Sequence, residues 1–227
     1  MAQTLGEYMG AGSGITKLLL HLNGNSTDSS GNGNNGTDTA ITYSQANGKF
    51  GQGAGFNAAS PSYIKFPANI VTAFPITISC WYKGTPNGGD IIIGNMVGTP
   101  YLTGSFFAVN LSPPKIYLQA RTNNYIDNSI GSADISLGTG WNNIVMVIQT
   151  GTNNLKMFLN SLNIYTGTMT NSDYLNSQQW MMGGFYDNGY NQKLTGAVDE
   201  MIVENRAWSD SYVKKYYTNA KGRFGII

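Results

Sequence analysis

The sequence predicts an all-β sandwich with one late helix. Short apolar or alternating runs recur along the chain, and clusters of Gly, Asn, Ser and Pro separate them, which is the pattern of many strands joined by turns. Only one segment, near the C-terminus, has helical spacing. The length of 227 residues suits one large β-domain better than two ordinary ones, and no fixed repeat marks an internal boundary.

The predicted strands run from an early apolar segment to a long strand near the C-terminus. In chain order they are KLLLHL, SYIKFP, ITISCWYKG, DIIIGNM, FFAVNL, KIYLQAR, NNIVMVIQT, LKMFLN, QQWMMGG and AVDEMIVENRAW. In QTGTNNLKMFLN, Asn153 and Asn154 stand between strand-like flanks. Because Asn tolerates positive φ, this pair predicts a hairpin loop.

The predicted helix is SDSYVKKYYTNAKG. Ser209 can cap its first turn, and Gly222 can end it. Val213, Tyr216 and Tyr217 fall on one face at helical spacing, as in a helix that packs one side against a core.

Composition argues against several classes of protein. Charged residues are 11% of the chain and the formal net charge is +1, so no nucleic-acid surface is expected. The N-terminus lacks the basic start and apolar stretch of a signal peptide, and no segment reaches the roughly 18 apolar residues of a membrane span. We therefore expect a soluble protein without a secretory signal and without a membrane partner. The single cysteine, Cys80, is interpreted as a small buried hydrophobe.

Five motifs stand in a fixed order along the chain. They are LLLHLNGNSTDSSGNGNNGT, GKFGQGAGFNAASPSYIKFP, ITISCWYKG, GWNNIVMVIQTGTNNLKMFLN and GAVDEMIVENRAWSDSYVKKYY. In sequence and spacing they resemble the laminin-G-like domains of the concanavalin A-like lectin superfamily, over about Lys17 to Phe224. Two features depart from the family. Trp208 stands where the family usually has Leu, and a Gly-rich arm precedes Lys17.

The resemblance implies a jelly-roll sandwich of two antiparallel sheets. Such domains are usually non-catalytic, bind glycans or proteins, and often carry a structural calcium ion. The implied organisation is an N-terminal arm over residues 1–14, followed by one laminin-G-like domain over residues 15–227.

The segment NGNSTDSSGNGNNGTDT, from Asn23 to Thr39, has two interpretations. In the first, its Asx side chains bond their own backbone in a compact turn, and the glycines at 31, 33 and 36 supply positive φ. In the second, the loop also binds Ca²⁺, which takes about six to eight oxygen ligands. The side chains concerned are Asp28, Asn32, Asn34 and Asn35.

A calcium site in this loop needs a second carboxylate, and Asp199 is the candidate donor. Period-two alternation in AVDEMIVEN puts Asp199 on the same apolar face as Met201 and Val203. A buried carboxylate must be paired, hydrogen-bonded or bound to metal. We therefore expect either a structural calcium shared by Asp28 and Asp199, with Asn32 in the same loop, or hydrogen bonds to backbone alone.

The superfamily also contains glucanases, which need two carboxylates about 5 to 9.5 Å apart across the sugar bond. Glu200 and Glu204 are the closest pair on one face, but four strand residues separate them by roughly 13 Å. The residue between them is Ile202 rather than an acid, and the glucanase signature is absent. The lone His21 has no nucleophile motif nearby and is interpreted as structural. The sequence predicts a protein that is not an enzyme.

A glycan site, if the chain has one, is expected on loops that combine aromatic and amide side chains. Sugar rings stack on aromatic faces, and amides bind hydroxyl groups. A chain with 14 Tyr also forms such clusters by chance, so this site stays one of two alternatives. The candidate residues are Tyr186, Asp187, Asn188 and Tyr190 in FYDNGYNQ, with Asn123 and Tyr125 in RTNNYID.

The Gly-rich arm over residues 1–14 carries few large apolar side chains, chiefly Leu5, Tyr8 and Met9. Ordering such a segment costs about 1 to 2 kcal/mol per residue in backbone entropy. We therefore expect the arm to be ordered by another protein chain, either a second copy or a particle component, with these three side chains as anchors.

Two functional hypotheses remain open. The first is a non-enzymatic structural or adhesive protein on the virion surface of a phage-like particle, as a capsid decoration, fibre or tail component, with a lectin-like domain displayed outward. The second is a carbohydrate-binding module of a bacterial extracellular protein or enzyme.

Overall fold

Two antiparallel sheets pack face to face in the computed structural model, and one helix covers the outer face of the larger sheet. The structure describes residues 14–86, 90–94, 106–112, 115–121, 127–131, 137–149, 151–169, 179–184 and 193–222. The predicted all-β sandwich with one late helix is confirmed. Within the described ranges, no helix has the length and apolar character needed to cross a membrane.

The described strands and helix are numbered in chain order. The strands are β1 (Thr16–Leu20), β2 (Thr37–Thr39), β3 (Thr42–Ser44), β4 (Gly53–Phe56), β5 (Tyr63–Ala68), β6 (Ile76–Lys83), β7 (Asp90–Gly94), β8 (Phe106–Ser112), β9 (Lys115–Arg121), β10 (Asp127–Gly131), β11 (Asn142–Ile148), β12 (Gly151–Leu159), β13 (Leu162–Met169), β14 (Gln179–Met182) and β15 (Gly196–Glu204). A 3₁₀ turn (Gln45–Asn47) lies between β3 and β4, and helix α1 (Asp210–Gly222) follows β15.

The larger sheet has the order β13-β12-β11-β6-β15-β4-β3, and β1 also pairs with β15. The smaller sheet has the order β10-β9-β8-β7-β14-β5-β2. Strand β15 is the centre of the larger sheet. On one side it pairs with β6, and on the other it pairs first with β4 and then with β1.

The core between the sheets follows from regular alternation in strands such as β11. In β11, Ile144, Met146 and Ile148 face the core, while Val145 and Val147 face the opposite side. The side chains on both faces of β11 are buried, because the other sheet covers one face and apolar residues outside the sheet cover the other. This is why β11 reads as an unbroken apolar run in the sequence.

Helix α1 covers the outer side of the larger sheet and buries the side chains that point away from the core. Val213 and Tyr216 pack with Trp208 against the outer side of β1, β11, β12 and β15. The Ser209 side chain accepts a hydrogen bond from the N–H of Tyr212 at 3.2 Å, so the predicted cap is confirmed. The exposed face carries Lys214 among other polar residues. The helix therefore has the amphipathic form that the sequence predicted.

Several short strands were not predicted, and the loop of one predicted hairpin was placed wrongly. Strands β2, β3, β4, β10 and β13 are absent from the sequence prediction because they are short, polar or rich in Gly. Asn153 and Asn154 lie inside β12 rather than in a loop. Strands β11 and β12 do pair antiparallel, as the predicted hairpin requires. A separate two-residue turn, at Asn160 and Ser161 with φ of 50° and 68°, joins β12 to β13.

A bulge in β15 overturns the predicted placement of Asp199. The strand register shifts after this residue, and Glu200 takes a φ of 49°. As a result Val198 and Met201 both face the core. Asp199 instead pairs with Trp81, which packs under the end of α1, so both side chains point away from the core.

Candidate functional site

The Asn- and Gly-rich loop after β1 is organised around the buried carboxylate of Asp28. Its Oδ1 accepts hydrogen bonds from the N–H groups of Leu19, at 3.0 Å, and Ser30, at 2.9 Å. Its Oδ2 accepts from the Ser30 hydroxyl at 2.8 Å and from the N–H of Asn34 at 2.9 Å. Both carboxylate oxygens are therefore satisfied by the loop and by β1.

The side-chain amides of three Asn residues hydrogen-bond within the loop and to β1. Asn35 Oδ1 accepts from the N–H of Asp28 at 2.8 Å. The Nδ2 of Asn34 donates to Lys17 O at 2.8 Å, and that of Asn32 donates to Thr16 O at 2.7 Å. This is the compact Asx turn of the first interpretation.

The glycines of this loop have two different roles. Gly31 and Gly33 have φ of 89° and 73°, as predicted. Gly36 does not have positive φ, so that part of the prediction is wrong. A Cβ at Gly36 would overlap with the side chains of Ile64 and Ser26, so glycine is needed there for space.

The carboxylate of Asp199 joins β15 to the segment before β4. Its Oδ2 accepts from the N–H groups of Lys49, at 2.7 Å, and Phe50, at 2.8 Å. Its Oδ1 accepts from the N–H of Glu200 at 2.9 Å. Burial raises the pKa of Asp199 to about 7, opposing the lowering effect of these N–H groups, while the Glu200 carboxylate raises it further.

The hydrogen bonds that these two carboxylates accept do not fit a calcium ion shared between them. Asp28 and Asp199 have no hydrogen-bond partner in common, and N–H or O–H donors point at all four of their oxygens. The described ranges contain no group of three or more His, Cys, Asp or Glu that could hold a metal ion. The structure provides the hydrogen-bonded alternative, and the calcium ion stays a prediction.

The other two acids of β15 also have structural partners. Glu204 is fully buried and accepts hydrogen bonds from Thr16 Oγ1 at 3.2 Å, from Trp208 Nε1 at 2.7 Å and from Arg206 Nε. The Glu200 carboxylate lies 3.0 Å from His21 Nδ1. All three acids of β15 therefore have hydrogen-bonding partners.

His21 and Glu200 form a partly buried ion pair. The hydrogen bond to Glu200 raises the pKa of His21 above its ordinary value, burial lowers it, and the charges of Glu200 and Asp199 raise it. The His21 side chain is 34% exposed, so the pair is in contact with solvent. The interpretation of His21 as a structural residue agrees with this geometry.

An open groove of about 590 Å³ lies at the β3–β4 edge of the larger sheet. Residues of the 3₁₀ turn, the end of β4 and the start of β15 line it. Two of them, Gly55 and Gly196, have no side chain. Its lining contains no carboxylate within the part of the chain that the structure describes. The polar residues that line it are Thr42, Asn47, Asn57, Ser60, Lys83 and Thr195.

Sequence reasoning did not find this groove. Its polar residues come from five separate segments, and none of them forms a motif by itself. The available signal was the concentration of small residues in GQGAGFNAAS, which we interpreted as part of the family pattern rather than as the floor of a groove.

None of the predicted ligand and arm residues belongs to the described part of the chain. The six candidates for glycan binding, Tyr186, Asp187, Asn188, Tyr190, Asn123 and Tyr125, lie outside the described residues, as do Leu5, Tyr8 and Met9 of the arm. The chain does connect one of these segments to the groove, because residues 185–192 immediately precede the segment that leads into β15.

The fold and the sequence define the class of protein. A laminin-G-type family model, described as the concanavalin A-like lectin/glucanases superfamily, matches residues 57–214. The chain therefore belongs to this superfamily, and the predicted resemblance is confirmed. The matched span is narrower than the predicted one. A comparison with curated protein sequences finds no match.

Solved structures share this fold at low sequence identity. Domain 4 of AbnA, an extracellular GH43 arabinanase from Geobacillus stearothermophilus solved with arabinotriose, is 18% identical with a TM-score of 0.68, covering 88% of this chain and 98% of that domain. The binding domain of Paraclostridial Mosquitocidal Protein 1 is 16% identical with a TM-score of 0.67, covering 90% of this chain. The botulinum neurotoxin serotype G binding domain is 16% identical with a TM-score of 0.69, also covering 90%. The chain spans about half of each toxin domain, 52% and 50% respectively.

The calcium prediction can be tested by melting the protein in a chelator and after re-titration with Ca²⁺. If hydrogen bonds alone hold Asp28 and Asp199, we expect one melting temperature under both conditions. An ion at one hundred times its Kd would stabilise the fold by about 2.7 kcal/mol, or roughly 5 to 11 °C for a domain of this size. A rise of that size on adding Ca²⁺, lost in an Asp28→Asn variant, would instead establish the calcium site.

The His21–Glu200 pair predicts a raised imidazole pKa that depends on Glu200. Because His21 is the chain's only histidine, its Cε1–H resonance titrates without ambiguity. We expect a midpoint above the ordinary value in the native protein and a lower one in Glu200→Gln. An Asp210→Asn variant, which removes a surface carboxylate paired with Lys156, should leave the midpoint unchanged.

The sign of the linked stability follows from the direction of this shift. The ion pair contributes fully below the unfolded-state pKa of His21, and its contribution is lost as pH rises through the raised folded-state pKa. Equal midpoints in the native protein and Glu200→Gln would contradict the pairing.

Proposed function

We propose that this chain is a non-enzymatic, lectin-like domain that binds carbohydrate. The observation that carries the proposal is the groove at the β3–β4 edge, which is lined by hydroxyl, amide and ammonium groups and by no described carboxylate. Hydroxyl and amide groups recognise sugar hydroxyls by hydrogen bonding and leave the glycosidic bond intact. Such a lining is suited to binding rather than hydrolysis.

The acids of β15 support the non-catalytic part of this proposal. Glycoside hydrolysis needs one carboxylate to donate a proton and another to act as base or nucleophile. Here Asp199 and Glu204 are buried under hydrogen bonds, and Glu200 is paired with His21. None of them lines the groove.

The aromatic segment FYDNGYNQ supports a sugar ligand. It belongs to the connection between β14 and β15, and the groove is lined by Thr195 at the end of that connection and by Gly196 and Ala197 at the start of β15. Tyr186 and Tyr190 would offer flat faces for sugar rings, and Asp187 and Asn188 would bind hydroxyls. The segment RTNNYID, with Asn123 and Tyr125, remains a second candidate.

Several structural neighbours have names that point the same way. The arabinanase domain was solved in complex with arabinotriose, and this chain covers 98% of it. Another neighbour is a botulinum neurotoxin type C structure whose name describes cell entry dependent on two ganglioside molecules, at 11% identity and a TM-score of 0.65. We extend carbohydrate binding from these neighbours to this chain as part of the proposal.

We further propose that the domain is displayed on a particle, as a virion surface component. The composition of the arm supports this location, because a Gly-rich segment with only Leu5, Tyr8 and Met9 as large anchors gains order most readily against another chain. The alternative is a carbohydrate-binding module of a bacterial extracellular protein. The arabinanase domain, which comes from an extracellular enzyme, favours that alternative.

Glycan binding can be tested on an array of neutral and acidic glycans. We expect the native protein to give reproducible signals, and Tyr186→Ala with Tyr190→Ala to weaken them about tenfold or more, since stacking on aromatic rings is lost. The melting temperature should stay the same. A matched control is Tyr63→Phe on β5, which keeps the ring and should retain binding. A blank array for the native protein would remove the proposal.

The arm can be tested by deleting residues 1–14. The sandwich should keep its melting temperature within about 2 °C, since the described core begins at Leu18 and is kept whole. Incorporation into particles, measured by mass spectrometry of purified particles, should be abolished. A Leu5→Ala, Tyr8→Ala and Met9→Ala triple variant separates the three anchors from the length of the arm. Normal assembly of the deletion variant would contradict the proposed role.

A further inference from the structure

We propose that the ligand of the groove is a saccharide that carries an acidic group, and that Lys83 binds this group. The inference rests on the proposed function, because it names the class of sugar that the same groove takes. Three observations lead to it: the position of the Lys83 ammonium, the lack of a carboxylate partner for it among the described residues, and the polar groups of the same groove that have no partner there.

Lys83 is the last residue of β6, and its side chain is held in a defined position. Its Nζ donates a hydrogen bond to Ala46 O at 2.8 Å, and lies 5.1 Å from the centroid of the Trp141 ring. Ala46 belongs to the 3₁₀ turn and lines the groove together with Lys83. The backbone oxygen and the ring hold the ammonium at the groove wall, which lowers the entropic cost of using it to bind a ligand.

The ammonium has no carboxylate within salt-bridge distance in the described ranges. Three acids of β7 and β15 have other hydrogen-bonding partners. Asp199 accepts its three N–H groups, Glu200 pairs with His21, and Asp90 accepts from the N–H of Thr195 at 3.3 Å. One carbonyl oxygen uses one of the three N–H donors of Lys83, so two donors remain for a ligand anion.

The groove also offers groups for sugar hydroxyls. Asn47 uses its Nδ2 on Thr42, at 3.2 Å to the carbonyl and 3.3 Å to the hydroxyl, and no described donor reaches its Oδ1. Asn57 uses its Oδ1 on the N–H of Ala59 at 2.9 Å, and no described acceptor reaches its Nδ2. The Ser60 hydroxyl likewise has no partner among the described residues. These groups provide an amide oxygen, an amide NH2 and a hydroxyl in the same groove as Lys83.

The shape of the groove depends on glycine at its floor. A Cβ at Gly55 would overlap Asn47 Nδ2 and approach Thr42 Oγ1 to 2.7 Å, and one at Gly196 would overlap the backbone of Lys83. The absence of these side chains lets the polar groups stand close together. A single ammonium among neutral groups matches one acidic group on an otherwise neutral ligand. The formal net charge of +1 argues against a polyanion such as nucleic acid.

The direct test is calorimetric titration of the full chain with two probes of equal length. One is a trigalacturonate, and the other is its methyl ester, which has the same rings without charge. A sulfated oligosaccharide of similar length is a third probe and distinguishes a carboxylate from a sulfate ligand. We expect an acidic probe to bind about tenfold or more tightly than the neutral ester at low ionic strength, and to lose this advantage at high salt.

Two matched pairs of variants locate the binding. Lys83→Met keeps the stem against Trp141 and removes the charge, so it should abolish the preference for the acid, while Lys83→Arg should retain it. Lys214→Met removes the same charge from an exposed helix position outside the groove and should behave as the native protein. Ala40 lines the groove at a φ of 49°, which Asp and Asn tolerate. Ala40→Asp should weaken acid binding, and Ala40→Asn should not.

The outcomes separate this inference from the proposed function. Acidic and neutral probes bound with equal affinity by the native protein, or acidic probes bound with equal affinity by the native protein and Lys83→Met, would overturn the inference and leave the lectin proposal in place. Equal loss in Lys83→Met and Lys214→Met would also overturn it, because the effect would then be one of general charge. A native protein that binds no probe and gives a blank array would overturn both. Melting temperatures of all variants establish that they are folded.

Discussion

The structure depends on a buried carboxylate in the middle of its central strand. Asp199 is fully buried, and accepts hydrogen bonds from the N–H groups of Lys49, Phe50 and Glu200. The first two belong to the segment that precedes β4, so the carboxylate fixes where that segment meets β15. Leaving several buried N–H groups without an acceptor costs about 1 to 3 kcal/mol each. The bulge at Glu200 places this acceptor on the outer side of the sheet while β15 continues to fill the core.

The same bulge separates structural acids from the ligand surface. Glu200 pairs with His21, and Glu204 accepts a hydrogen bond from Trp208 Nε1 just before the helix. The Trp208 position is informative, because an aliphatic side chain there could fill the space but could not donate to Glu204. A buried carboxylate with its partners in place rigidifies this junction between β15 and α1. None of the three acids of β15 lines the groove at the β3–β4 edge.

The sequence was sufficient for the architecture and insufficient for the site, and the reasons are physical. Long strands such as β6 and β11 were predicted because both of their faces are buried, which requires a run of apolar residues that is visible in the sequence. Strand β4, with the sequence GAGF, was missed because its glycines serve close packing rather than strand propensity. The face of Asp199 was predicted wrongly because one residue with positive φ reverses the alternation after it. The groove was missed because Asn47, Asn57 and Lys83 come together only through the pairing of distant strands.

The position of β15 has a consequence for how the chain reaches this fold. Its pairings with β1, β4 and β6 join segments that are far apart in sequence, and the contact between Thr16 and Glu204 spans 188 residues. Until β15 has been synthesised, β4 and β6 lack the strand that lies between them, and their edges are open to other chains. Folding dominated by such distant pairings is slow, and its partly assembled forms are prone to aggregation. During synthesis the larger sheet therefore closes late, because its central strand is the last of the fifteen described strands to leave the ribosome.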